Sequence, residues 1–223
     1  MKGIVMNPLD PHSPDEYRSV AGYGENEFII EKSRFIGYAM PVDSEEDARA
    51  FIVEIKNMHP QATHVCSAWI VGYGGLSMRF SDDGEPSGTA GVPILEVLKK
   101  EGLTDIVVCV VRYFGGVKLG AGGLIRAYTR GATCALDGAH ITTWTRHKAL
   151  EVIADYTFQG TISYQLDKTD WLLADTTYDD KVHFHLFIPD EATNTATDLL
   201  NNWTGGKATL NWGNLCYKGR KQQ

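Results

Sequence analysis

The chain has 223 residues, of which 43% are hydrophobic and 22% are charged. This is an ordinary globular composition, and the length suffices for one large hydrophobic core or two smaller ones. Lys and Arg number 21 against 28 Asp and Glu, so the formal net charge is −7. That balance excludes a uniformly basic nucleic-acid-binding protein and leaves room only for a local basic patch.

The cysteines lie far apart in the chain, at Cys66, Cys109, Cys134 and Cys216. Without a CxxC pair, this spacing argues against a zinc site or a disulfide framework and predicts reduced thiols. Residues 1–14 hold no apolar core long enough for a signal peptide, and no apolar run approaches the ~18 residues of a membrane span. We therefore expect a soluble, cytoplasmic protein with no membrane partner.

Three prolines and their polar neighbours predict a loose lead-in over residues 1–16. Short β-prone runs between residues 17 and 41 predict strands that are broken at glycine and serine. A helix is predicted after Asp43-Ser44, because a serine cap and acidic residues in the first turn suit a helix N-terminus. It should end before His59-Pro60.

Five further elements are predicted between residues 62 and 136, and the fourth is a wholly apolar run typical of a strand covered on both faces. The first two strands form a hairpin across Gly74-Gly75. The elements are strands at 62–73 and 76–80, a helix at 90–101, a strand at 106–111 and a helix at 123–136.

The sequence changes in character near residues 138–146. The remaining elements are predicted as a strand at 148–156, a helix at 158–168, strands at 171–178 and 181–188, a helix at 191–203 and a strand at 207–217. The order βαββαβ is that of the ferredoxin-like fold. We predict an α+β protein with two domains, at residues 17–140 and 141–223.

The acidic loop, residues 81–91, carries three carboxylates within four positions, at Asp82, Asp83 and Glu85. Such a group can bind a hard cation such as Mg²⁺, a ligand hydroxyl or a basic side chain. The loop is also typical of a tight turn before a helix, which Ser87 and Thr89 would cap. More candidate side chains are present than one cap requires, and this surplus favours a functional role.

The glycine-rich loop joins the apolar strand to the next helix and contains Gly115, Gly116, Gly120, Gly122 and Gly123. Glycine permits positive φ and close backbone approach, so successive N–H groups can converge on an anion at the helix N-terminus. The loop is not a P-loop, because no GK[ST] closes it. It is not a Rossmann fingerprint either, because Ile125 occupies the position of the third glycine.

Residues 106–136 contain no acidic residue but four cations, at Arg112, Lys118, Arg126 and Arg130. The last two are four positions apart and so share one face of a helix. Together with the five glycines, these side chains predict a site for phosphate, a nucleotide or the RNA backbone. The alternative is that the glycines allow tight packing and the arginines are solvated or paired with the acidic loop.

His59, His64 and Cys66 have a spacing that could suit a metal, but a regular fourth ligand is missing and zinc is disfavoured. His64 is a candidate acid or base at the edge of the site. Ser87, His64 and Asp82 have the residue types of a Ser-His-Asp catalytic triad, although no nucleophile-elbow motif supports it. The candidate catalytic residues are thus His64, Asp82, Asp83, Glu85 and Ser87.

Four segments resemble the YigZ/IMPACT family, and in particular its bacterial two-domain members. They are EKSRFI at residues 31–36, HVCSA at 64–68, the acidic loop at 81–91, and VVRYFGGVKLGAGGLIRAY at 110–128. The last two are long and unusual in composition. The resemblance is firm over residues 28–130, whereas the second domain resembles its bacterial counterpart by length and element order.

The resemblance implies a first domain like domain 2 of ribosomal protein S5 and a second like the ferredoxin-fold domain V of elongation factor G. Both relatives contact RNA or the ribosome, although a shared fold alone does not establish a shared function. The first hypothesis is therefore a non-catalytic, cytosolic RNA- or ribosome-binding protein that modulates translation. It requires no cofactor.

The second hypothesis is a Mg²⁺-dependent enzyme, or a binder of a phosphorylated small molecule or nucleotide. It uses the acidic loop at residues 82–89 and the glycine-rich loop at 115–123, and it requires that the two loops meet in one cleft. Asp82, Asp83 and Glu85 would then hold the metal. A third hypothesis, a protein–protein adaptor, would require a large exposed apolar patch.

Overall fold

The computed structural model describes residues 13–219, in which the chain forms two compact units. Residues 17–143 form the first unit, and residues 144–218 with residues 13–16 form the second. Each unit pairs an antiparallel sheet with helices, so the predicted two-domain, mixed α and β architecture is confirmed. Most of the predicted lead-in, residues 1–12, and the last four residues of the predicted second domain lie outside the described residues.

The elements up to residue 139 are three strands, a helix, a hairpin, a helix, a strand and a long helix. They are β1 (Glu16–Val20), β2 (Gly24–Ile30), β3 (Ser33–Pro41), α1 (Glu45–Met58), β4 (His64–Val71), β5 (Ser77–Ser81), α2 (Gly91–Lys100), β6 (Ile106–Tyr113) and α3 (Gly120–Ala139). Ser44 accepts the N–H of Asp47 and so caps α1, as predicted from the sequence.

The sheet of the first unit has the strand order β2-β3-β6-β4-β5, which places β6 at its centre. Residues 106–112 of β6 are all buried, because helices cover both faces of the sheet. The register sets Arg112, near the end of β6, opposite Phe35 of β3 and His64 of β4. Two of the predicted site residues are thus neighbours through strand pairing alone.

Successive residues of β6 point to opposite faces of the sheet and enter two different cores. Val108 and Val110 pack into the core formed with α2 and α3. Val107 and Val111 pack into the core formed with α1. Helix α3 is therefore held against one face of the central strand, and its N-terminus lies near the end of that strand.

The second unit contains β7 (Ile141–Ala154), α4 (Gln159–Leu166), β8 (Leu172–Tyr178), β9 (Val182–Pro189), α5 (Thr193–Thr204) and β10 (Thr209–Gly219). Its strands are ordered β8-β9-β7-β10. Alternate residues of β9 from Val182 to Ile188 are buried in a core to which α4 and α5 contribute. In the described part of the chain, no helix is long and apolar enough to cross a membrane.

Gly37 of β3 shows how closely α3 packs on the sheet. A Cβ atom built at Gly37 would overlap the carbonyl oxygen of Gly131 in α3, so either the strand or the helix would have to move. We expect Gly37→Ala to destabilise the first unit by about 1–3 kcal/mol, the usual cost of overpacking. The measurement is the free energy of unfolding in urea.

The matched control is Gly22→Ala, because a Cβ at Gly22 would meet no described atom within 4 Å. This variant should unfold at the same urea concentration as the parent chain. Equal midpoints for the two variants would show that the contact between strand and helix is not tight.

Candidate functional site

A buried ion pair between Arg112 and Glu85 lies at the centre of the site. Nη1 of Arg112 donates to Oε1 of Glu85 at 2.6 Å, and the two side chains are 6% and 3% exposed. The Tyr128 hydroxyl of α3 donates to the same carboxylate oxygen at 2.8 Å. These contacts join the central strand, the acidic loop and the long helix through one carboxylate.

His64 lies beside this pair and has a defined orientation. Its Nδ1 is 2.8 Å from the carbonyl oxygen of Asp83. A carbonyl oxygen can only accept, so Nδ1 carries the proton and Nε2 of the neutral ring keeps its lone pair. Nε2 lies 3.9 Å from Oε2 of Glu85, which is too long for a hydrogen bond.

These groups border a cavity of about 430 Å³. Its lining includes His64, Glu85, Arg112, Phe114, Lys118 and Gly120. The acidic loop and the glycine-rich loop therefore share one cavity, as the second hypothesis requires. The volume falls within the usual range for sites that bind small molecules.

The N-terminus of α3 opens onto the cavity at Gly120. The preceding residue, Leu119, makes no side-chain cap, and the first turn holds Gly122 and Gly123 but no acidic residue. The first N–H groups of a helix have no partner within the helix, and the helix dipole adds partial positive charge there. With the exposed side chain of Lys118 beside it, this end of the cavity suits an anion.

The other glycines of the loop have different structural roles. Gly115 donates its N–H to Oγ of Ser33 at 3.2 Å, and a Cβ there would overlap the carbonyl of Lys32. Gly116 has φ of 84°, a conformation that favours glycine, and is exposed. Close packing therefore accounts for Gly115, whereas Gly120 and the helix start face the cavity.

The four predicted cations do not form one patch. Arg112 is buried against Glu85, whereas Arg126 and Arg130 are exposed on α3 and do not line the cavity. The guanidinium carbon of Arg130 lies 4.4 Å from the ring centroid of Phe28. Within residues 13–219, Lys118 is the exposed cation that lines the cavity.

Asp82 is turned towards the start of α2. Its Oδ1 accepts the N–H groups of Ala90 and Gly91, at 3.0 and 2.8 Å, and its Oδ2 accepts that of Gly88 at 2.8 Å. Partial burial raises the pKa of Asp82, but the three N–H donors outweigh it and hold the pKa below its usual value. Asp82 thus caps α2 from within the acidic loop.

Three further side chains of the acidic loop, those of Asp83, Ser87 and Thr89, do not line the cavity either. Asp83 pairs with Nζ of Lys56 at 2.6 Å and accepts the N–H of Val65 at 2.7 Å. Ser87 is exposed and does not line the cavity, and Thr89 donates its hydroxyl to a backbone carbonyl rather than capping α2. Asp82, Asp83 and Glu85 therefore face three different sets of partners, and the described residues contain no cluster of three or more metal-ligating side chains.

The residues of the disfavoured metal pattern are held by other contacts. His59 lies between the hydroxyls of Tyr38 and Tyr113, at 2.7 and 2.8 Å. The thiol of Cys66 is fully buried and donates to the Asp82 carbonyl oxygen at 3.0 Å, and burial raises the pKa of Cys66 to about 12. A thiol with that pKa is a poor nucleophile and a poor metal ligand at neutral pH.

Sequence reasoning missed Tyr128 and Phe114. Tyr128 falls within the helix predicted at 123–136, at a helical spacing from Leu124 and Ala132, and a buried tyrosine hydroxyl usually needs a hydrogen-bond partner. That rule could have identified Tyr128 as a member of a polar cluster, although it does not name Glu85 as its partner. Phe114 carried no signal of its own, because a single aromatic residue beside a glycine turn is common.

Comparisons with known proteins identify both halves of the chain. The model of the Impact N-terminal domain matches residues 31–136, and that of a domain of unknown function, DUF1949, matches residues 152–207. The first match covers the acidic loop, the glycine-rich loop and the whole of β6. The predicted resemblance to the YigZ/IMPACT family is confirmed.

Individual relatives agree with this result. The chain is 42% identical to the IMPACT family member YvyE of Bacillus subtilis over 201 residues, which are 90% of this chain and 93% of that protein. It is 48% identical to the IMPACT family member YigZ of Escherichia coli over 109 residues, 48% of this chain and 53% of the relative. A crystal structure described as that of a hypothetical protein matches 88% of this chain and 97% of its own, with a TM-score of 0.59 and 32% identity.

The buried ion pair predicts a large effect of a small substitution. Glu85→Gln keeps the size of the side chain but leaves the Arg112 guanidinium buried without a counter-charge. We expect a loss of about 3–5 kcal/mol in the free energy of unfolding, measured in urea. As the control, Glu96→Gln removes the exposed partner of Lys99 and should leave the midpoint of urea unfolding unchanged. Similar midpoints for both variants would contradict the role given to the Arg112–Glu85 pair.

The Asp82 cap predicts a dependence of stability on pH. Its pKa is lower in the folded chain than its ordinary value of 3.8, so the stabilisation is complete above that value and is lost as the pH falls. Asp82→Asn cannot titrate, so its deficit in unfolding free energy should be constant near neutral pH and shrink below about pH 4. Urea unfolding from about pH 7 down to about pH 3 measures it, and a deficit that stays constant over that range would refute the cap.

Proposed function

The chain belongs to the YigZ/IMPACT family, and on that premise we propose that its first unit binds the phosphate of a nucleotide, free or at the end of an RNA strand. The site is the cavity between the acidic and glycine-rich loops. One observation carries the proposal: the uncapped N-terminus of α3 and the exposed side chain of Lys118 line the same concave site. A helix N-terminus and a lysine are common partners of phosphate.

The carboxylates of the acidic loop, on the other side of the cavity, are all engaged by partners, which supports the proposal. Glu85 would repel an anion if it were free, but Arg112 and Tyr128 both donate to it. Asp82 and Asp83 are engaged by backbone N–H groups and by Lys56. An anionic ligand would therefore meet the positive helix end and Lys118 without a facing unpaired carboxylate.

Phe114 favours a nucleotide over inorganic phosphate. Its side chain lines the cavity and is 46% exposed, although large apolar side chains are more often buried. Bases stack on such rings, at about 1–3 kcal/mol per base. The base would lie at Phe114 and the phosphate at α3.

A role in translation follows as the wider form of the same proposal. Arg126 and Arg130 are exposed along α3, so an RNA strand with its end in the cavity could continue along this helix. With a net charge of −7, such binding would be local and sensitive to salt. The protein would then act in the cytoplasm on RNA or the ribosome. It would need no resident cofactor, and Mg²⁺ would enter as the counterion of the ligand's phosphates.

The two fold assignments belong to this wider proposal. We assign the second unit to the ferredoxin-like fold of elongation factor G domain V, since its elements follow the order βαββαβ. Its central strands β7 and β9 are neighbours, which supports that topology. The first unit we assign to the fold of ribosomal protein S5 domain 2. Both assignments are consistent with a protein that contacts RNA, but neither is needed for the cavity to bind a nucleotide.

Lys118→Ala tests the site directly. Removing a charge-assisted contact of about 1.5–3 kcal/mol should weaken nucleotide binding about 10- to 100-fold, measured by titration calorimetry with ATP and GMP. Lys99→Ala, which removes an exposed lysine of α2, should bind as the parent chain does. Equal affinities for the two variants would rule out the cavity as the phosphate site.

The same variants separate free nucleotides from RNA. In one arm, 5′-phosphorylated and unphosphorylated RNA oligonucleotides compete with the nucleotide. In the other, purified ribosomal subunits are co-sedimented across a salt series. A Lys118-dependent preference for the RNA end or the subunit would identify the translational role, whereas competition by free nucleotides alone would identify a small-molecule site.

A further inference from the structure

Phosphate binding at α3 and Lys118 leaves one feature of the cavity unused. His64 lines the cavity, and its Nε2 carries a lone pair and makes no hydrogen bond to any residue between 13 and 219. An imidazole with one nitrogen anchored and the other directed at a binding site is the usual arrangement of a general base.

We propose that this cavity hydrolyses a phosphoric anhydride, with His64 as the base that activates the attacking water. The inference rests on the proposed phosphate site and adds a reaction to it. The substrate class is a nucleoside triphosphate or inorganic pyrophosphate, which share the anhydride bond.

The orientation of His64 supports this role. Its ring is fixed by the strand register beside Arg112 and by the Asp83 carbonyl oxygen. Asp83 is itself held by Lys56 and by the N–H of Val65. The acceptor for Nδ1–H is thus immobilised by two further contacts, and the ring cannot turn its protonated nitrogen into the cavity without losing that bond.

Glu85 supplies a second acceptor for the same water. Its Oε2 lies 3.9 Å from Nε2 of His64, so one water oxygen about 2.8 Å from each can donate one proton to the imidazole and the other to the carboxylate. Arg112 and Tyr128 hold the other carboxylate oxygen and prevent the group from rotating. Two fixed acceptors would orient the lone pair of the water.

The reaction balances without a further reactant. The water oxygen forms a bond to phosphorus and passes a proton to Nε2, while the bridging P–O bond breaks and its electron pair stays on the departing phosphate. The departing phosphate leaves without taking up a proton, so the reaction needs no general acid. An anhydride therefore suits a site with one imidazole. The N–H groups of α3 and Lys118 would stabilise the developing charge, and the imidazolium, beside Glu85, would release its proton to solvent.

His64→Gln tests the reaction separately from binding. Phosphate release from ATP and from pyrophosphate is measured with and without Mg²⁺, and the affinity for methylene analogues of both is measured by calorimetry. We expect turnover to fall about 10²- to 10⁴-fold, the usual contribution of a general base, while the analogues bind unchanged.

His185→Gln is the matched control, since His185 belongs to the second unit and hydrogen-bonds to Thr177. It should hydrolyse the anhydride at the parent rate. Retained turnover in His64→Gln would overturn the inference. Binding of the analogues that depends on Lys118, without any turnover by the parent chain, would also overturn it but leave the proposed function intact. The absence of both binding and turnover would refute both.

Discussion

The structure of the first unit depends on one buried ion pair, between Arg112 and Glu85. Burying two charges is costly, and such a pair is seldom the most stable way to fill an interior. Nε of Arg112 is buried and has no hydrogen-bond partner among the described residues, which adds to that cost. What the pair contributes is geometry: it fixes the acidic loop to the central strand, and through Tyr128 to α3. The cavity exists because these three elements meet.

The same pair explains how acidic and basic segments can border the one cavity that we propose as a phosphate site. Each carboxylate of the acidic loop has a structural partner: Asp82 binds the start of α2, Asp83 pairs with Lys56, and Glu85 pairs with Arg112. The loop is acidic in sequence but almost neutral towards the cavity. A segment that would repel a phosphate as an isolated peptide can thus form a wall of the proposed anion site once it is folded.

The sequence predicted the order of the elements, the division into two domains and the family, because periodicity, glycine turns and long motifs are local. It also singled out both loops. It could not assign partners: Arg112 was expected to face a phosphate, and its burial against Glu85 depends on how the loop folds back. Nor could it place His64 beside Arg112, since that follows from the register of β4 on β6. The alternative that the arginines pair with the acidic loop describes Arg112 correctly.

The close approach of β3 to α3 has a genetic consequence. At Gly37 the backbones of strand and helix meet directly, and at Gly131 a Cβ would collide with the side chain of Val110. A side chain at either position would force the sheet or α3 to move, and a shift of α3 would also displace the first turn that borders the cavity. In a screen for loss of function, alleles at these two glycines would be recovered together with alleles of the cavity itself, although neither glycine lines it. If the cavity is the functional site, the set of positions that function requires would therefore be larger than the set that can touch a ligand.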